Sequence, residues 1–384
     1  MISALLVLNT GSSSLKFQVF SRTGLDVLMA GKLTGIGGEA RLRFRFGSQS
    51  APRGGPLDCK DHETAMAMVI DLIDRHDGDW QLNAVVHRVV HGGNSFSRPV
   101  IITSEVLEML QALVPLAPLH QPHNLAGIAA ARSLAPDAVN IACFDTAFHA
   151  NHSPLFHSFA LPGHLRDKGV RRYGFHGLSY EWIATLLART RPDLASGRVV
   201  AAHLGNGASL CAISGGSSID TTMGMTALDG LPMGSRSGAI DPGAITYMMR
   251  RFGYDPDIMD TILYEESGLK ALSGISNDVE SLLASNDPQA SFALEYFALK
   301  VAQFAATMTV SMGGIDAFVF TGGIGEHAAP VRERIRARLG FLGDIETLVI
   351  PANEERMMAI HADHILGGQP CACLLYTSPS PRDS

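Results

Sequence analysis

The sequence predicts an α/β protein, because segments with the two-residue period of strands alternate along the chain with segments of helical period. The chain has 384 residues, of which 46% are hydrophobic, so it can bury a large core, and its length favours two domains over one. The stretches at 5–20 and 199–213 each join two apolar strands through a turn of small residues. This repeated pattern suggests two related halves.

The first predicted elements surround a serine-rich turn in LLVLNTGSSSLKFQVF at 5–20. Apolar and polar residues alternate after this turn, which predicts a strand over 15–20. Asp61 is suited to cap a helix that runs through ETAMAMVIDLIDRH at 63–76. The stretch LNAVVHRVVHGG at 82–93 is predicted to be an apolar strand that ends in glycines.

Three further segments complete the predicted pattern. VVAAHLGNGASLCAI at 199–213 is predicted to form a strand, a turn and a strand. Asp287 begins a long helix that Gly313 and its neighbouring glycine end. The stretch at 316–340 is predicted to form a strand, a glycine turn and a helix with Pro330 in its first turn.

Charge and hydropathy exclude several classes of partner. The net charge is −7 and no run of lysine or arginine forms a basic tail, so no nucleic-acid partner is expected. The opening apolar residues have no positive flank and are too few for a signal or membrane segment. We therefore expect a cytoplasmic protein with no membrane partner.

Cysteines and histidines give no sign of a disulfide scaffold or a zinc site. The cysteines lack the density of a scaffold and a paired CxxC pattern, which predicts free thiols, three of them in the core. They are Cys59, Cys143, Cys211, Cys371 and Cys373. Seven histidines between 87 and 157 could be assembled into a zinc site, but HRVVH lacks the glutamate of a zincin helix and lies on a predicted strand.

Glycine-rich turns follow three apolar strands, which favours nucleotide binding. Such turns expose backbone N–H groups and short hydroxyls to phosphate oxygens, and Lys16 can add a point charge. The first turn is not a Walker A loop, because GxxxxGK[ST] is absent. GIGEHA at 323–328 fits a dinucleotide fingerprint, but the roughly sixty residues that follow are too few for a Rossmann domain, so an oxidoreductase is disfavoured.

Several motifs with charged residues among glycines follow in the order seen in acetate kinases, and the sequence resembles that family over nearly its whole length. The motifs are NTGSSSLK, HRVVHGG, APLHQPHN, FDTAFH, RRYGFHG, HLGNGAS, IDTTMG, GSRSGAIDP, SGISND, FTGGIGE and IPANEE. The resemblance implies two ribonuclease-H-like domains, the fold shared with sugar kinases, heat-shock chaperones and actin, with the active site in the cleft between them.

This resemblance also implies domain bounds, an assembly and a reaction. The N-terminal domain would comprise 1–146 with 355–368, and the nucleotide-binding domain 147–354. A homodimer would catalyse the reversible, Mg²⁺-dependent reaction of ATP with acetate to give ADP and acetyl phosphate. Residues 369–384 do not resemble the family's C-terminal helix and are expected to be disordered or foreign.

Four residues would carry the chemistry, according to the resemblance. Arg88 and Arg236 would flank the acetate and the moving phosphoryl group, and His176 would donate a hydrogen bond to that group. Arginines suit the task because they stay charged and fork toward oxygen pairs. Asp145 would be the catalytic carboxylate. We interpret it as a group that orients a cationic partner and the substrate, because acetate is already ionised at neutral pH and needs no base.

Further residues would bind the metal ion and the nucleotide. Asn9 and Glu354 would position Mg²⁺, which Mn²⁺ could replace, and both supply the hard oxygen ligands that Mg²⁺ prefers. Ser12, Ser14 and Lys16 would hold phosphate. The nucleotide loops would comprise His203, Leu204, Gly205, Asn206, Gly207, Gly323, Ile324, Gly325, Glu326 and His327, with Asp278 near the adenosine.

The acetate side would be lined by His120, and the methyl group would lie against Val90, Leu119 and Phe175. In acetate kinases a proline commonly completes that wall, but here Ala227 occupies the position. Alanine is smaller, so a propionate kinase remains an alternative function. A non-enzymatic, nucleotide-gated protein of the same superfamily would have no need for the two arginines, the aspartate and the histidine together.

The chain departs from the family pattern at a few other positions. Leu178 and Tyr180 stand where threonine and histidine are common, Ala239 replaces a usual aspartate, and Glu280 occupies a position that is often arginine. The stretch between GFLG and LVIPANEE is shorter than usual. These departures concern mainly the adenosine side and one edge of the second domain.

Overall fold

A computed structural model of the chain describes residues 2–47, 49–50, 57–75 and 80–368. The strands are β1 Ile2–Thr10, β2 Ser14–Ser21, β3 Val27–Thr34, β4 Arg41–Phe46, β5 Gln49–Ser50, β6 Trp80–Val89, β7 Val100–Ile101, β8 Val139–Phe144, β9 Arg198–Leu204, β10 Ala208–Ser214, β11 Ser217–Thr221, β12 Ala317–Thr321 and β13 Glu346–Val349. The helices are α1 His62–Asp74, α2 Ser104–Ala112, α3 Gln121–Leu134, α4 Pro154–His157, α5 Gly163–Arg166, α6 Gly177–Thr190, α7 Pro192–Ala195, α8 Pro242–Phe252, α9 Pro256–Glu265, α10 Gly268–Ser273, α11 Val279–Ala284, α12 Pro288–Met312, α13 Gly322–His327, α14 Ala329–Leu339 and α15 Glu354–Leu366.

The chain divides into two compact units. Unit 1 comprises the residues up to Ala147 together with the segment that begins at Asn353, and unit 2 comprises Phe148–Ala352. The sheet of unit 1 has the strand order β5-β4-β3-β2-β1-β6-β8-β7, and that of unit 2 has the order β11-β10-β9-β12-β13. Each sheet has helices of its own unit packed against it.

Unit 1 forms the elements that the first half of the sequence predicts. Leu15, Phe17 and Val19 of β2 are fully buried in a core that also contains residues of α1, so the predicted alternation is confirmed. The predicted cap of α1 is also confirmed, because the Asp61 carboxylate accepts a hydrogen bond from Thr64 N at 2.7 Å. This bond satisfies one of the N–H groups that the first helical turn leaves unpaired.

The strand predicted over 82–93 is displaced toward the N-terminus, since β6 runs from Trp80 to Val89. The next amide, Val90 N, donates to the side-chain oxygen of Asn124 at 3.1 Å. That side chain also donates to Thr10 O at 3.1 Å. Asn124 on α3 therefore ties the ends of the two adjacent strands β1 and β6 together, where ladder bonds stop.

Unit 2 contains the long helix α12 where the sequence predicts it. Asp287 caps its start by accepting from Gln289 N at 2.8 Å, and Gly313 ends it with φ 69°. The glycines predicted as a turn after β12 form the short helix α13 instead. This helix begins at Gly322, whose φ of 77° and close approach to Leu204 O, 2.7 Å from where a Cβ would lie, exclude other residues.

The two sheets repeat one topology. In unit 1, β1 pairs with β2 in antiparallel and with β6 in parallel direction, and β3 follows β2. In unit 2, β9 pairs with β10 and β12 in the same two ways, and β11 follows β10. The two related halves that the similar stretches suggested are thus confirmed, and their topology agrees with the duplicated ribonuclease-H-like fold that the resemblance implies.

The cysteines and the C-terminal residues complete the description. Cys59, Cys143 and Cys211 are buried thiols. The predictions for Cys371, Cys373 and the tail at 369–384 lie outside the described residues. Within the described ranges, none of the helices has both the length and the apolar character that crossing a bilayer requires.

Candidate active site

Arg88 and Asp145 form the centre of the candidate site in unit 1. Arg88 lies near the end of β6, and Asp145 directly follows the parallel strand β8. The guanidinium donates from Nε to Asp145 Oδ1 at 2.8 Å and from Nη2 to Oδ2 at 2.7 Å. Such a fork fixes the direction of the guanidinium plane as well as its position.

Glu354 joins this pair from the first turn of α15, which packs against β1 and β6. Its Oε2 atom lies 3.4 Å from Arg88 Nη1. Burial disfavours the charge of Arg88, but the carboxylates of Asp145 and Glu354 outweigh burial and raise its pKa. Arg88 is therefore cationic at neutral pH, with both ends of its guanidinium group facing carboxylates.

The turn between β1 and β2 carries the residues predicted to hold phosphate. Gly11 N donates to Ser14 O at 2.8 Å and closes a tight turn, with Ser12 exposed at its tip. Asn9 and Lys16 are cross-strand partners just below this turn. The predicted metal and phosphate residues of the first motif therefore share one strand end.

Sequence reasoning missed the partner of Lys16. Its ammonium group lies 2.6 Å from the Glu355 carboxylate, while the lysine side chain stays 46% exposed. Glu354 and Glu355 are adjacent, so the sequence alone does not indicate which of the two carboxylates faces β2. The lysine is therefore held through its ammonium group, while its side chain remains partly exposed.

The residues predicted to line the acetate pocket are distributed over the two units. Val90 and His120 are half-buried in unit 1, whereas Leu119 is 41% exposed there. In unit 2, Phe175 is buried and Ala227 is half-buried. The pocket remains a prediction.

His176 forms the centre of the candidate site in unit 2, at the start of α6. Its backbone is left-handed, with φ 57°, which costs a non-glycine residue about 1–2 kcal/mol. Residues held in such a conformation concentrate at functional sites. Its ring stacks on that of His203 at 4.3 Å, and its Nδ1 atom lies 2.8 Å from Ser209 Oγ.

Arg236 approaches the same turn as His176. A Cβ at Gly207 would lie 3.2 Å from His176 Nε2 and 3.9 Å from Arg236 Nη1, so the imidazole and the guanidinium face one small space above the turn. Arg236 Nη1 donates to Ala227 O at 3.1 Å, and its Cζ atom lies 5.9 Å from the centre of the Tyr264 ring. Burial lowers its pKa.

The two predicted nucleotide loops lie next to each other. The first is the turn between β9 and β10, closed by a bond of 3.0 Å from Gly205 N to Gly207 O, with Asn206 exposed. A Cβ at Gly205 would lie 4.0 Å from Gly323 N in the second loop. A Cβ at Gly323 itself would meet nothing within 4 Å, so this backbone is open to a ligand.

Other residues predicted to bind the nucleotide differ in what their side chains do. Leu204 is buried, Ile324 is half-buried and His327 is exposed. Glu326 Oε1 accepts from Gly322 N at 3.1 Å and from Ala352 N at 2.9 Å, so this carboxylate supports the loop.

Asp278 caps α11. It accepts from the backbone N–H of Ser281 at 2.9 Å and from its hydroxyl at 2.7 Å. These bonds lower the pKa of the Asp278 carboxyl group. The side chain remains exposed, so its capping bonds leave one side of the carboxylate open to solvent.

Ser179 was missed by sequence reasoning. Its hydroxyl lies 2.8 Å from His203 Nδ1 and thereby orients the ring that stacks on His176. The signal for it was weak, because a serine in the first turn of a helix is common for structural reasons alone.

Three of the histidines considered for a zinc site are buried in polar networks. His87 Nε2 lies 2.8 Å from Asn140 Oδ1, and His149 Nδ1 and His152 Nε2 each lie 2.7 Å from Ser218 Oγ. Burial lowers the pKa of His87 and His149 to about 4 and that of His152 to about 2. These histidines are neutral at pH 7.

Comparison with known proteins decides the family. A profile of the acetokinase family matches residues 4–362. The chain belongs to the acetokinase family. It is 44% identical to an acetate kinase of Nitrobacter hamburgensis over 95% of this chain and 96% of the relative, and 42% identical to an acetate kinase of Methylocella silvestris over 94% and 97%.

Solved structures agree with this membership. A propionate kinase from Francisella tularensis matches with a TM-score of 0.89 and 34% identity, covering 94% of this chain and 99% of that one. An acetate kinase from Porphyromonas gingivalis matches with a TM-score of 0.85 and 32% identity, covering 95% and 100%. The predicted family fold is therefore confirmed, and acetokinase membership makes the protein a kinase that transfers phosphate to a carboxyl group.

Proposed function

We propose that the protein catalyses reversible transfer of the γ-phosphoryl group of ATP to acetate, giving acetyl phosphate and ADP. The acetate kinases that it resembles support this substrate. The observation that carries the proposal is the shared space above Gly207, which His176 Nε2 and Arg236 Nη1 both face. Two nitrogen donors aimed at one point suit a transferring phosphoryl group, whose negative charge is spread over three oxygens.

The reaction needs positioning and charge stabilisation more than proton transfer. An acetate oxygen forms a bond to the γ-phosphorus while the bond from this phosphorus to the bridging oxygen of ADP breaks. Both reactants are anions, so the enzyme must hold them in line against their repulsion. Acetate is ionised at neutral pH, so no residue has to remove a proton from it.

In unit 1, Arg88 would bind the acetate carboxylate. The fork to Asp145 holds the guanidinium plane and leaves Nη1, which also faces Glu354, at the edge of the pair. Asp145 would thus act as an orienting carboxylate and not as a base. His120 would line the acetate side, and Val90, Leu119, Phe175 and Ala227 would contact the methyl group.

In unit 2, Arg236 would stabilise the transferring phosphoryl group, and His176 would donate a hydrogen bond to it from Nε2. The open backbone at Gly205–Gly207 and at Gly323 would bind the nucleotide. Asp278 would lie near the adenosine. In unit 1, Ser12, Ser14 and Lys16 would hold phosphate oxygens, since Ser12 is exposed and the Lys16 side chain is 46% exposed.

Asn9 and Glu354 would hold Mg²⁺, for which Mn²⁺ could substitute. An amide oxygen and a carboxylate are hard donors, and two such donors fit an ion that keeps several of its waters. The Glu354 side chain is only 12% exposed, and its second oxygen is not the one that faces Arg88. When bound, the ion would neutralise phosphate charge.

We further propose that the chain has the two domains of the family, 1–146 with 355–368 and 147–354, whose bounds differ from those of the two units by one or two residues, and that the enzyme is a cytoplasmic homodimer. Exposed aromatic residues in unit 2 support an assembly. The rings of Tyr247 and Phe252 lie 6.0 Å apart, and each side chain is more than half exposed. An apolar pair of this kind is typical of a subunit contact.

A hydroxamate assay with ATP, Mg²⁺ and a series of short carboxylates tests the proposed function. Acetyl hydroxamate is expected to form at an enzymatic rate, and longer carboxylates should react progressively more slowly. Propionate kinase activity is the second candidate, favoured by Ala227 and by the similar propionate kinase structure. A higher kcat/KM for propionate than for acetate would establish that candidate instead, and no acyl hydroxamate with any carboxylate would refute both.

A further inference from the structure

Ser209 connects His176 to a tyrosine deeper in unit 2. Ser209 lies on β10 and is fully buried. Its hydroxyl lies 2.8 Å from His176 Nδ1 and is also hydrogen-bonded to the hydroxyl of Tyr180, which is fully buried as well. The imidazole of His176, which faces Gly207, is therefore hydrogen-bonded to Ser209, and Ser209 is hydrogen-bonded to Tyr180.

Helix α6 carries both outer members of this hydrogen-bonded series, His176 and Tyr180. Tyr180 follows His176 by four residues at the start of α6, and its backbone N–H donates to His176 O at 3.2 Å. Residues four apart lie on one face of a helix. Both side chains therefore reach Ser209 from the same side of α6.

The direction of the hydrogen bonds decides which imidazole nitrogen carries the proton. If the Tyr180 hydroxyl donates to Ser209 Oγ, the serine hydroxyl is left to donate to His176 Nδ1. Nδ1 then acts as acceptor, so a neutral imidazole carries its proton on Nε2. Nε2 is the atom that faces the space above Gly207.

We propose that Tyr180 is a positioning residue for phosphoryl transfer, because its hydroxyl holds His176, through Ser209, with Nε2 protonated and aimed at the Gly207 turn. This inference rests on the proposed role of His176. It also gives a purpose to a departure of this sequence from the acetate kinase pattern, in which histidine is common at position 180.

The substitution Tyr180→Phe tests the proposal, since it removes one hydroxyl and keeps the buried ring that packs edge-on against His149. We expect kcat to fall about three- to tenfold, which is what the loss of one net hydrogen bond corresponds to, with KM for ATP changed less than about twofold. Ser209→Ala should lower kcat by a similar factor. The double variant should have a kcat little lower than either single variant, because all three variants break the same link between Tyr180 and His176.

Tyr173→Phe is the matched control. Tyr173 is also a buried tyrosine, and its hydroxyl donates to Gly169 O at 2.9 Å. This variant loses one tyrosine hydrogen bond in the same segment of unit 2 without touching Ser209. It should keep the kcat of the unmodified enzyme, while its melting temperature should fall about as far as that of Tyr180→Phe.

A second background separates positioning from stability. In a His176→Ala enzyme, Tyr180→Phe should not lower kcat further, because the hydroxyl acts through the missing imidazole. An equal loss in both backgrounds would overturn the proposal, as would unchanged kcat in the single variant. If His176→Ala itself retains full kcat, the proposed role of His176 fails, which is a different result.

The tautomer can also be measured directly. The chain has 15 histidines, so the ¹⁵N imidazole signals of His176 are assigned by their absence in the His176→Ala spectrum. We expect the Nε2–H tautomer in the unmodified enzyme and a mixture in Tyr180→Phe. An Nδ1–H tautomer in the unmodified enzyme would contradict the proposed direction of the hydrogen bonds even if kcat changes as expected.

Discussion

The guanidinium of Arg88 is bound edge-on to the carboxylate of Asp145 by two hydrogen bonds of 2.8 and 2.7 Å. The Asp145 side chain is only 3% exposed and that of Arg88 17% exposed. A pair this well buried loses hydration that its mutual attraction must replace, so removal of one partner is costly. The same bonds fix the plane of the guanidinium group that we propose binds the acetate carboxylate.

Asp145→Asn is therefore expected to impair both stability and catalysis. It removes the charge that faces a buried guanidinium, so the free energy of unfolding should fall by about 3 kcal/mol. Because a small misplacement of a positioning group can cost about 10²-fold in rate, we expect kcat/KM for acetate to fall by about that factor. Urea unfolding and steady-state kinetics give the two quantities.

Asp193→Asn is the control for this fork. Arg191 binds Asp193 with the same geometry, at 3.0 and 2.7 Å, but the Asp193 side chain is 62% exposed. An exposed pair contributes less than about 1 kcal/mol, so this variant should be nearly as stable and as active as the unmodified protein. Equal losses in the two variants would show that burial of the fork is not what matters.

Arg236→Ala tests the cation above the Gly207 turn. Its charge should count mainly in the transition state, so kcat should fall about 10³-fold or more while the Kd for ATP changes little. The exposed Arg250 on α8 serves as the control, and Arg250→Ala should leave both quantities unchanged. Unimpaired turnover of Arg236→Ala would remove Arg236 from the site.

Glu354→Ala and Asn9→Ala test the proposed metal site. Each should raise the Mg²⁺ concentration needed for half-maximal activity, because one anchor of the hydrated ion is lost. Glu105→Ala is the control, since Glu105 likewise stands in the first turn of a helix and is exposed. A Mg²⁺ dependence that neither site variant alters would reject the assignment.

Stability should fall between pH 6.5 and pH 4 because of buried histidines. The pKa of His149 is lowered to about 4 by burial, so above that pH the folded protein binds no proton there, whereas the unfolded chain does so below its ordinary pKa of about 6.5. Acid thus favours the unfolded state. Between pH 7 and pH 5 each such histidine should cost roughly 2 kcal/mol.

His149→Gln tests this cause of acid sensitivity. The glutamine amide can still donate to Phe175 O, which His149 Nε2 reaches at 3.0 Å, but it does not titrate. The stability difference between pH 7 and pH 5 should therefore be smaller in the variant. His157→Gln, at a half-buried histidine, should reduce this difference much less. An unreduced difference in His149→Gln would disprove the role of this histidine.

The preference of the enzyme between acetate and propionate should depend on Ala227. Its carbonyl accepts from Arg236 at 3.1 Å, so the backbone of this residue lies beside the proposed catalytic cation. One methylene in an apolar pocket is worth about 1–3 kcal/mol, so propionate should be used with a kcat/KM within roughly tenfold of acetate. Ala227→Pro, which fills the wall, should shift the ratio toward acetate. A preference of the unmodified enzyme for acetate above about a hundredfold would contradict this expectation.

Local signals in the sequence predicted the elements better than the contacts of the site. Asp61, Asp287 and Gly313 act through neighbouring backbone groups, so their roles can be derived from sequence position. The short glycine-rich helix α13 at 322–327 was predicted as a turn, because its geometry depends on the approach of Leu204.

Contacts between distant residues required the fold. The fork from Arg88 to Asp145 spans 57 positions, and the bond from Tyr180 to Ser209 spans 29. The resemblance to acetate kinases supplied the candidate residues, but not what holds them. Glu326 illustrates the limit, because its carboxylate supports two backbone amides up to 26 positions away.

Phosphorus NMR of one reaction mixture tests the central claim most directly. With ATP, acetate, Mg²⁺ and the purified protein, we expect an acetyl phosphate signal to grow as the γ-phosphate signal of ATP declines, and the reverse change from acetyl phosphate and ADP. The Arg236→Ala variant should show neither change on the same timescale. Loss of the γ-phosphate only as inorganic phosphate, or no change in either direction, would contradict the assignment of this protein as a kinase of acetate.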